Sequence, residues 1–195
     1  MAGAPTVQTS DTTIVPDYDV AIIGYGPVGA ALANLLGMCG LKVAVLEREV
    51  SHYHLPRAVS LDGEGMRLFQ TLGLAERLLP KLNVSRNILH VNADGKLLLV
   101  IKRGGAGPDG WNHAYRFYQP ELEAVLREGA ARFACVDVKL RCEAFALDEC
   151  DGHVRVGYEN LANGKLETAN WGTPLVGLLH DAAQGLQPAV KYGQL

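Results

Sequence analysis

The chain contains no apolar run of membrane-spanning length in its 195 residues, which excludes a simple transmembrane helix. It has no strong charge bias either. With 18 Lys and Arg against 21 Asp and Glu the net charge is −3, so there is no electrostatic reason to expect nucleic acid or an anionic membrane surface as partner. Charge runs and internal repeats are absent. Cysteine is scarce: the four present, Cys39, Cys135, Cys142 and Cys150, form neither a C-x-x-C pair nor a zinc spacing. They read as reduced, mostly buried thiols of a cytoplasmic protein. The six histidines are scattered, only His52 and His54 standing close together around Tyr53, and a solvated loop rather than a metal site is expected there. The first 17 residues have no Lys, no Arg and no apolar core, and are rich in Thr, Ser, Ala and Pro. They lack the marks of a signal or transit peptide and read as a disordered leader.

What is present is an apolar content of 48% in a length that suits one domain with a substantial core. The most specific feature is the apolar strand Asp19-Val20-Ala21-Ile22-Ile23 running into Gly24-Tyr25-Gly26-Pro27-Val28-Gly29, a G-x-G-x-x-G turn. A helix from about Pro27 to Cys39 with Gly40 as its stop, a second strand Val43-Ala44-Val45-Leu46 and the acid Glu47 complete a βαβ nucleotide-binding pattern. Gly24 permits the sharp turn, Gly26 lets the backbone approach a pyrophosphate, and Gly29 lets the helix pack on the strand. The diphosphate would then sit on unpaired N–H groups at the positive end of the helix dipole. Glu47 is placed to accept from the ribose hydroxyls, and an acid there argues against a 2′-phosphate and so against NADP at this site. The plainer alternative is a glycine turn in a parallel sheet that binds nothing.

Beyond Glu47 a polar loop, Arg48 to Pro56, leads to Arg57. Met66, Phe69 and Leu72 recur at helical spacing between Asp62, the expected cap, and Gly73. A short helical piece, Ala75 to Leu82, follows. Ile88 to Val91 and Lys96 to Ile101 flank Asn92-Ala93-Asp94-Gly95, a hairpin signal, and Gly104 to Gly110 reads as an exposed loop. Gln119-Pro120 opens a helix with Leu122, Val125, Leu126 and Ala130 on its apolar stripe. Val136 to Leu147, His153 to Tyr158 and Leu166 to Thr168 are strand-like, separated by Asp151-Gly152 and Asn163-Gly164 turns. The expected fold is therefore α/β: a Rossmann-like βαβ domain with an appended antiparallel β-meander. Thr173, Pro174, Leu175, Leu178, Leu179, Ala182 and Leu186 suggest a short amphipathic helix near the C-terminus.

Five ordered motifs carry a family likeness: the glycine turn, Glu47-Arg48, Pro56-Arg57-Ala58, Asp62-Gly63-Glu64-Gly65-Met66-Arg67 ending in Leu72-Gly73-Leu74, and Gln119-Pro120-Glu121-Leu122-Glu123. Together they resemble the FAD-dependent aromatic hydroxylases, single-component flavoprotein monooxygenases, and look most like the hydroxyphenylpropionate hydroxylase branch. The likeness runs from about Tyr18 to about Thr168. It implies FAD as cofactor, NAD(P)H as a transient co-substrate and a small aromatic substrate, a phenolic acid, hydroxylated with O₂. By resemblance Gly24, Gly26, Pro27, Val28 and Gly29 would cradle the diphosphate, and Glu47, with Arg48 beside it, would meet the adenosine ribose. Arg57 would lie along the FAD chain near the pyrophosphate and Gln119 near the ribitol. Those residue types suit the roles, since Arg matches a diphosphate and Gln offers both donor and acceptor to sugar hydroxyls. A surface ion pair for Arg57 and a helix-start cap for Gln119 remain the plainer readings. Asp62 and Glu64 read as a cap and a solvated helix residue, and no catalytic residue is assigned.

The chain departs from the family after Ala169. Family members run to several hundred residues, return to the sheet with a strand ending in a G-x-D-G motif, and later carry a G-D flavin motif. His180-Asp181-Ala182-Ala183 is a poor match to the latter, with His180 in place of the glycine. The expected division is a leader over 1–17, a partial FAD-binding domain over 18–168 and a non-family tail over 169–195. Three functions stay open: an aromatic monooxygenase; a non-catalytic FAD-binding module, with or without a partner chain that supplies a substrate domain; and an NAD-binding dehydrogenase-type Rossmann protein, in which Arg57 and Gln119 would have no role.

Overall fold

A computed structural model describes residues 16–51, 58–150 and 153–171. The buried apolar strand β1 (Val20–Ile23) leads through the glycine turn to helix α1 (Pro27–Met38), which returns the chain to β2 (Val43–Glu47). Gly40 closes α1 at φ +73, the left-handed conformation that glycine adopts without the Cβ penalty. Then come β3 (Ser60–Asp62) and α2 (Gly63–Thr71), whose cap is Asp62 accepting the Gly65 N–H at 2.8 Å. Next are α3 (Ala75–Leu78) and a 3₁₀ turn (Leu79–Lys81), then β4 (Asn83–Val84), β5 (Asn87–Val91), β6 (Leu97–Lys102) and β7 (Ala114–Arg116). Helix α4 (Gln119–Ala130) precedes β8 (Val136–Leu140), β9 (Cys142–Cys150), β10 (His153–Asn160) and β11 (Lys165–Trp171).

β1, β2 and β8 form one parallel sheet in the order β1-β2-β8, with Val20 opposite Val43 and Glu47 opposite Leu140. Both faces of this sheet are covered, as parallel sheets require. Val20, Ile22, Val43 and Val45 pack on α1, α2 and α4, through Ala30, Met66, Leu122 and Leu126. Ala21, Ala44 and Leu46 point the other way, onto Cys142, Val154, Val156, Tyr158 and Trp171 of the antiparallel sheet β11-β10-β9. Alternation along each strand thus joins one sheet to two cores.

Several expectations are corrected. Val136 to Leu147 is not one strand: Arg141, at φ +57, breaks it, so that β8 joins the parallel sheet and only β9 belongs to the meander. The break is fixed by Leu161 donating its N–H to the Arg141 carbonyl at 2.7 Å and by the Arg141 guanidinium donating to the Leu161 carbonyl at 2.8 Å. β11 runs past Thr168 to Trp171, because Ala169 and Trp171 are both buried in the second core. At the other end, Asp17 is tied in by its N–H to the Asn170 carbonyl at 3.0 Å, and Tyr18 stacks on Trp171. The expected piece Ala75 to Leu82 gives way to the 3₁₀ turn at Leu79, with Pro80 in it. The short sheet β3-β7-β4 was not expected at all. Of the four thiols, all free, only Cys142 is buried; Cys39 is exposed. The leader over 1–15, His52 and His54, Arg57, and the C-terminal helix lie outside the described residues.

The predicted hairpin forms as β5 and β6, with Gly95 at φ +77, and it leaves Leu97, Leu98 and Leu99 exposed. A polar cluster marks β8, an edge strand of the parallel sheet. Tyr18 Oη donates to Asp137, and Lys139 Nζ stands 2.9 Å from the same carboxylate. Burial pushes the Asp137 carboxyl up, but the hydrogen bonds from Tyr18 and Lys139 and the ammonium charge outweigh it and hold the group below its usual value. The Lys139 ammonium, hydrogen-bonded to Asp137, is pushed up against its own burial.

Candidate functional site

The three glycines of the turn are glycines for different reasons. Gly24 sits at φ +100, where side chains are strained. A Cβ at Gly29 would lie 2.1 Å from the Gly24 carbonyl oxygen, so contact between helix and strand requires it. Gly26 meets neither demand. Its φ of −73 and ψ of −170 suit any residue, and a Cβ there would meet nothing within 4 Å. Neither the backbone nor the packing accounts for Gly26, and the space beside it could admit a ligand.

That open space faces an unclaimed helix start. Gly26 caps α1 without a side-chain hydrogen bond, Pro27 fills the first position, and no acid stands in the first turn. The N–H groups of Val28 and Gly29 therefore lie at the positive helix end with no acceptor among the described residues, and Val28 is 60% exposed. Such a set of donors fits a phosphate.

Glu47 ends β2 beneath this turn and is 9% exposed. Its Oε2 accepts the Tyr25 N–H at 2.7 Å and its Oε1 accepts the Glu49 N–H at 2.9 Å. Each oxygen keeps a lone pair, so the carboxylate can still accept from a sugar hydroxyl. Arg48 does not join it. Its side chain is exposed, with Glu49 at 3.3 Å and Glu143 at 3.9 Å.

Gln119, the first residue of α4, is buried and does not cap the helix. Its Oε1 accepts the N–H of Ala58 at 2.9 Å, which brings α4 to the chain immediately after Arg57. Its Nε2 donates to Glu123 Oε1 at 2.8 Å. The Glu123 carboxylate faces Arg127 Nη2 at 3.7 Å, and the same nitrogen donates to the Tyr25 carbonyl at 2.8 Å. The guanidinium also stacks over the Tyr25 ring, 4.7 Å from its centroid. Burial raises the Tyr25 phenol above its usual pKa, with Arg127 opposing, so the ring stays neutral. One polar chain thus runs from Ala58 through Gln119, Glu123 and Arg127 to Tyr25 and Glu47. Sequence reading missed Tyr25, Glu123 and Arg127; the only signal was the i,i+4 spacing of Glu123 and Arg127.

A cleft of about 600 Å³ lined by Val84, Arg86, Asn87, Lys102 and Asn112 shares no residue with this site. Among the described residues no three His, Cys, Asp or Glu side chains gather as a metal site.

Fold and turn together define a Rossmann-like dinucleotide-binding domain. The chain belongs to the FAD binding domain family, whose model matches residues 17–170. It is 46% identical over 134 residues to a probable NADH-specific resorcinol 4-hydroxylase of Rhodococcus jostii (strain RHA1), covering 69% of this chain and 25% of that one. A 3-(3-hydroxy-phenyl)propionate/3-hydroxycinnamic acid hydroxylase of Mycolicibacterium vanbaalenii is 35% identical over 155 residues, covering 78% and 26%. The chain spans about a quarter of the length of these curated relatives. Among solved structures, the flavin-dependent monooxygenase PieE, in complex with FAD and substrate, superposes with a TM-score of 0.71 at 23% identity, covering 81% of this chain and 30% of that one. The p-nitrophenol 4-monooxygenase PnpA of Pseudomonas putida DLL-E4 gives 0.72 at 20% identity, covering 80% and 39%. The family match replaces the dehydrogenase-type alternative, and FAD is the cofactor of the class.

Proposed function

We propose that this chain is the FAD-binding part of an aromatic hydroxylase and holds the adenosine diphosphate half of FAD at the glycine turn. The observation that carries this reading is the open space at Gly26 beside unclaimed helix N–H groups. In it the N–H groups of Gly26, Val28 and Gly29 receive the diphosphate, Pro27 pre-sets the helix start, and Glu47 accepts from the adenosine ribose. Gln119 steadies the chain at Ala58, and by the family likeness it would serve the ribitol and Arg57 the pyrophosphate. FAD held there would supply the redox chemistry of an NAD(P)H- and O₂-dependent hydroxylation of a phenolic ring. The protein's part is to bind, orient and exclude water.

A second reading, a binding module that needs a further segment or partner chain for catalysis, is favoured by β1, whose outer edge pairs with no strand among the described residues. The free thiols suit a cytoplasmic setting. Titrating the chain with FAD by fluorescence quenching tests binding, and product analysis with NADH, O₂ and resorcinol or hydroxyphenylpropionate tests catalysis. FAD binding without hydroxylated product selects the second reading; stoichiometric product selects the first; absence of FAD binding refutes both.

A further inference from the structure

The main chain of Tyr25 is gripped on both sides by ionised side chains from different elements. Glu47, from β2, takes the Tyr25 N–H at 2.7 Å, and Arg127, from α4, donates to the Tyr25 carbonyl at 2.8 Å. A trans peptide is planar, with its C=O and N–H pointing opposite ways. Holding the Tyr25 carbonyl toward α4 therefore turns the Gly26 N–H away from α4. That N–H has no acceptor among the described residues, and the space beside Gly26 is open.

Arg127 is itself held for this task. Glu123, 2% exposed, pairs with it, the Tyr25 ring lies under its guanidinium, and its Nε is buried without a hydrogen-bond partner among the described residues. A half-buried guanidinium whose buried Nε goes unmet is not placed for the best internal hydrogen bonding; its position is set by the carbonyl it grips. Glu123 in turn is fixed by Gln119, which holds Ala58.

We infer that Arg127 is a positioning residue for diphosphate binding: by holding the Tyr25 carbonyl it locks the Tyr25–Gly26 peptide so that an N–H, not a carbonyl oxygen, faces the phosphate. The inference rests on the proposed binding of FAD at the glycine turn. Without Arg127 the peptide is free to rotate, and its carbonyl would repel the anion that the turn is built to receive. The defect belongs to the diphosphate alone, since Glu47, the proposed ribose acceptor, is held through the Tyr25 N–H and not through the carbonyl that Arg127 grips.

The test is Arg127→Gln in the full chain, titrated with ADP by calorimetry and with adenosine by ligand-observed NMR. ADP binding should weaken by about tenfold, as expected for loss of one charged hydrogen bond, with adenosine binding changed by less than about twofold. Equal weakening of both ligands, the mark of a merely structural role, overturns the inference, and so does unchanged binding of both. If the unaltered chain binds neither ligand, the FAD reading itself has failed and the inference falls with it, an outcome seen before any variant is made. Should R127Q fail to fold, Glu123→Gln carries the test. It releases the guanidinium while keeping the Gln119 contact, and should weaken ADP by about threefold and leave adenosine unchanged. An unaltered ratio of ADP to adenosine affinity in E123Q overturns the inference.

Discussion

Replacing Gly26 by Val should abolish nucleotide binding while leaving the apo protein folded. The position is an extended N-cap that any residue can adopt, and no atom lies within 4 Å of the Cβ site. Loss of glycine freedom in the unfolded chain favours the variant by about 0.4–1 kcal/mol, and the poorer N-cap opposes it by a similar amount. The net change in stability is therefore expected within about 1 kcal/mol. Binding is different, because the branched Cβ fills the space through which a diphosphate reaches the helix N–H groups. Losing one to two charged hydrogen bonds at about 1.5–3 kcal/mol each weakens FAD binding by about tenfold at the least and about ten-thousandfold at the most. Gly29→Ala supplies the contrast: its Cβ would lie 2.1 Å from the Gly24 carbonyl, so the backbone must shift and folding suffers by about 1–3 kcal/mol. Urea denaturation and FAD titration of both variants separate the effects. Normal flavin binding by folded G26V would refute the reasoning and leave the turn a structural feature.

Three further outcomes follow from the same geometry. Glu47→Ala should weaken FAD binding by about 1.5–3 kcal/mol, read by fluorescence quenching, and lower apo stability because the N–H groups of Tyr25 and Glu49 lose their acceptor. Trp171→Ala should destabilise the fold by about 3–5 kcal/mol in urea, since the ring is 1% exposed in the second core; a change near zero would return residues 169–171 to a separate tail. Asp137→Asn should cost at most about 1 kcal/mol at pH 7, because the Lys139 pair is partly exposed. The folded carboxyl titrates below its unfolded value near 3.9, so the contribution is present above that pH and lost as pH falls through the folded value; wild type and D137N should converge below about pH 4 in acid titrations followed by circular dichroism.

The βαβ unit was legible in the sequence because all its determinants are local: a buried strand, glycines at fixed spacing, a helix stop and an acid closing the second strand. The Asp62 cap and the Asn92 hairpin were readable for the same reason. The Arg141 break was not, since apolar alternation continues through it while the backbone reverses sign at one residue. Strands of two or three residues, such as β4 and β7, fall below what period-two patterning can register. Trp171 was misplaced because its partner Tyr18 lies at the far end of the chain. Arg127 looked like half of a surface i,i+4 pair; only the tertiary packing of α4 against the turn brings it to the Tyr25 carbonyl.

The most direct test of the central claim is equilibrium dialysis of the purified chain against FAD, with ADP as competitor and Gly26→Val as control. Saturable FAD binding that ADP displaces, and that G26V lacks, is the predicted result. A folded chain that takes up no FAD, or takes it up equally with G26V and in excess ADP, would contradict the account.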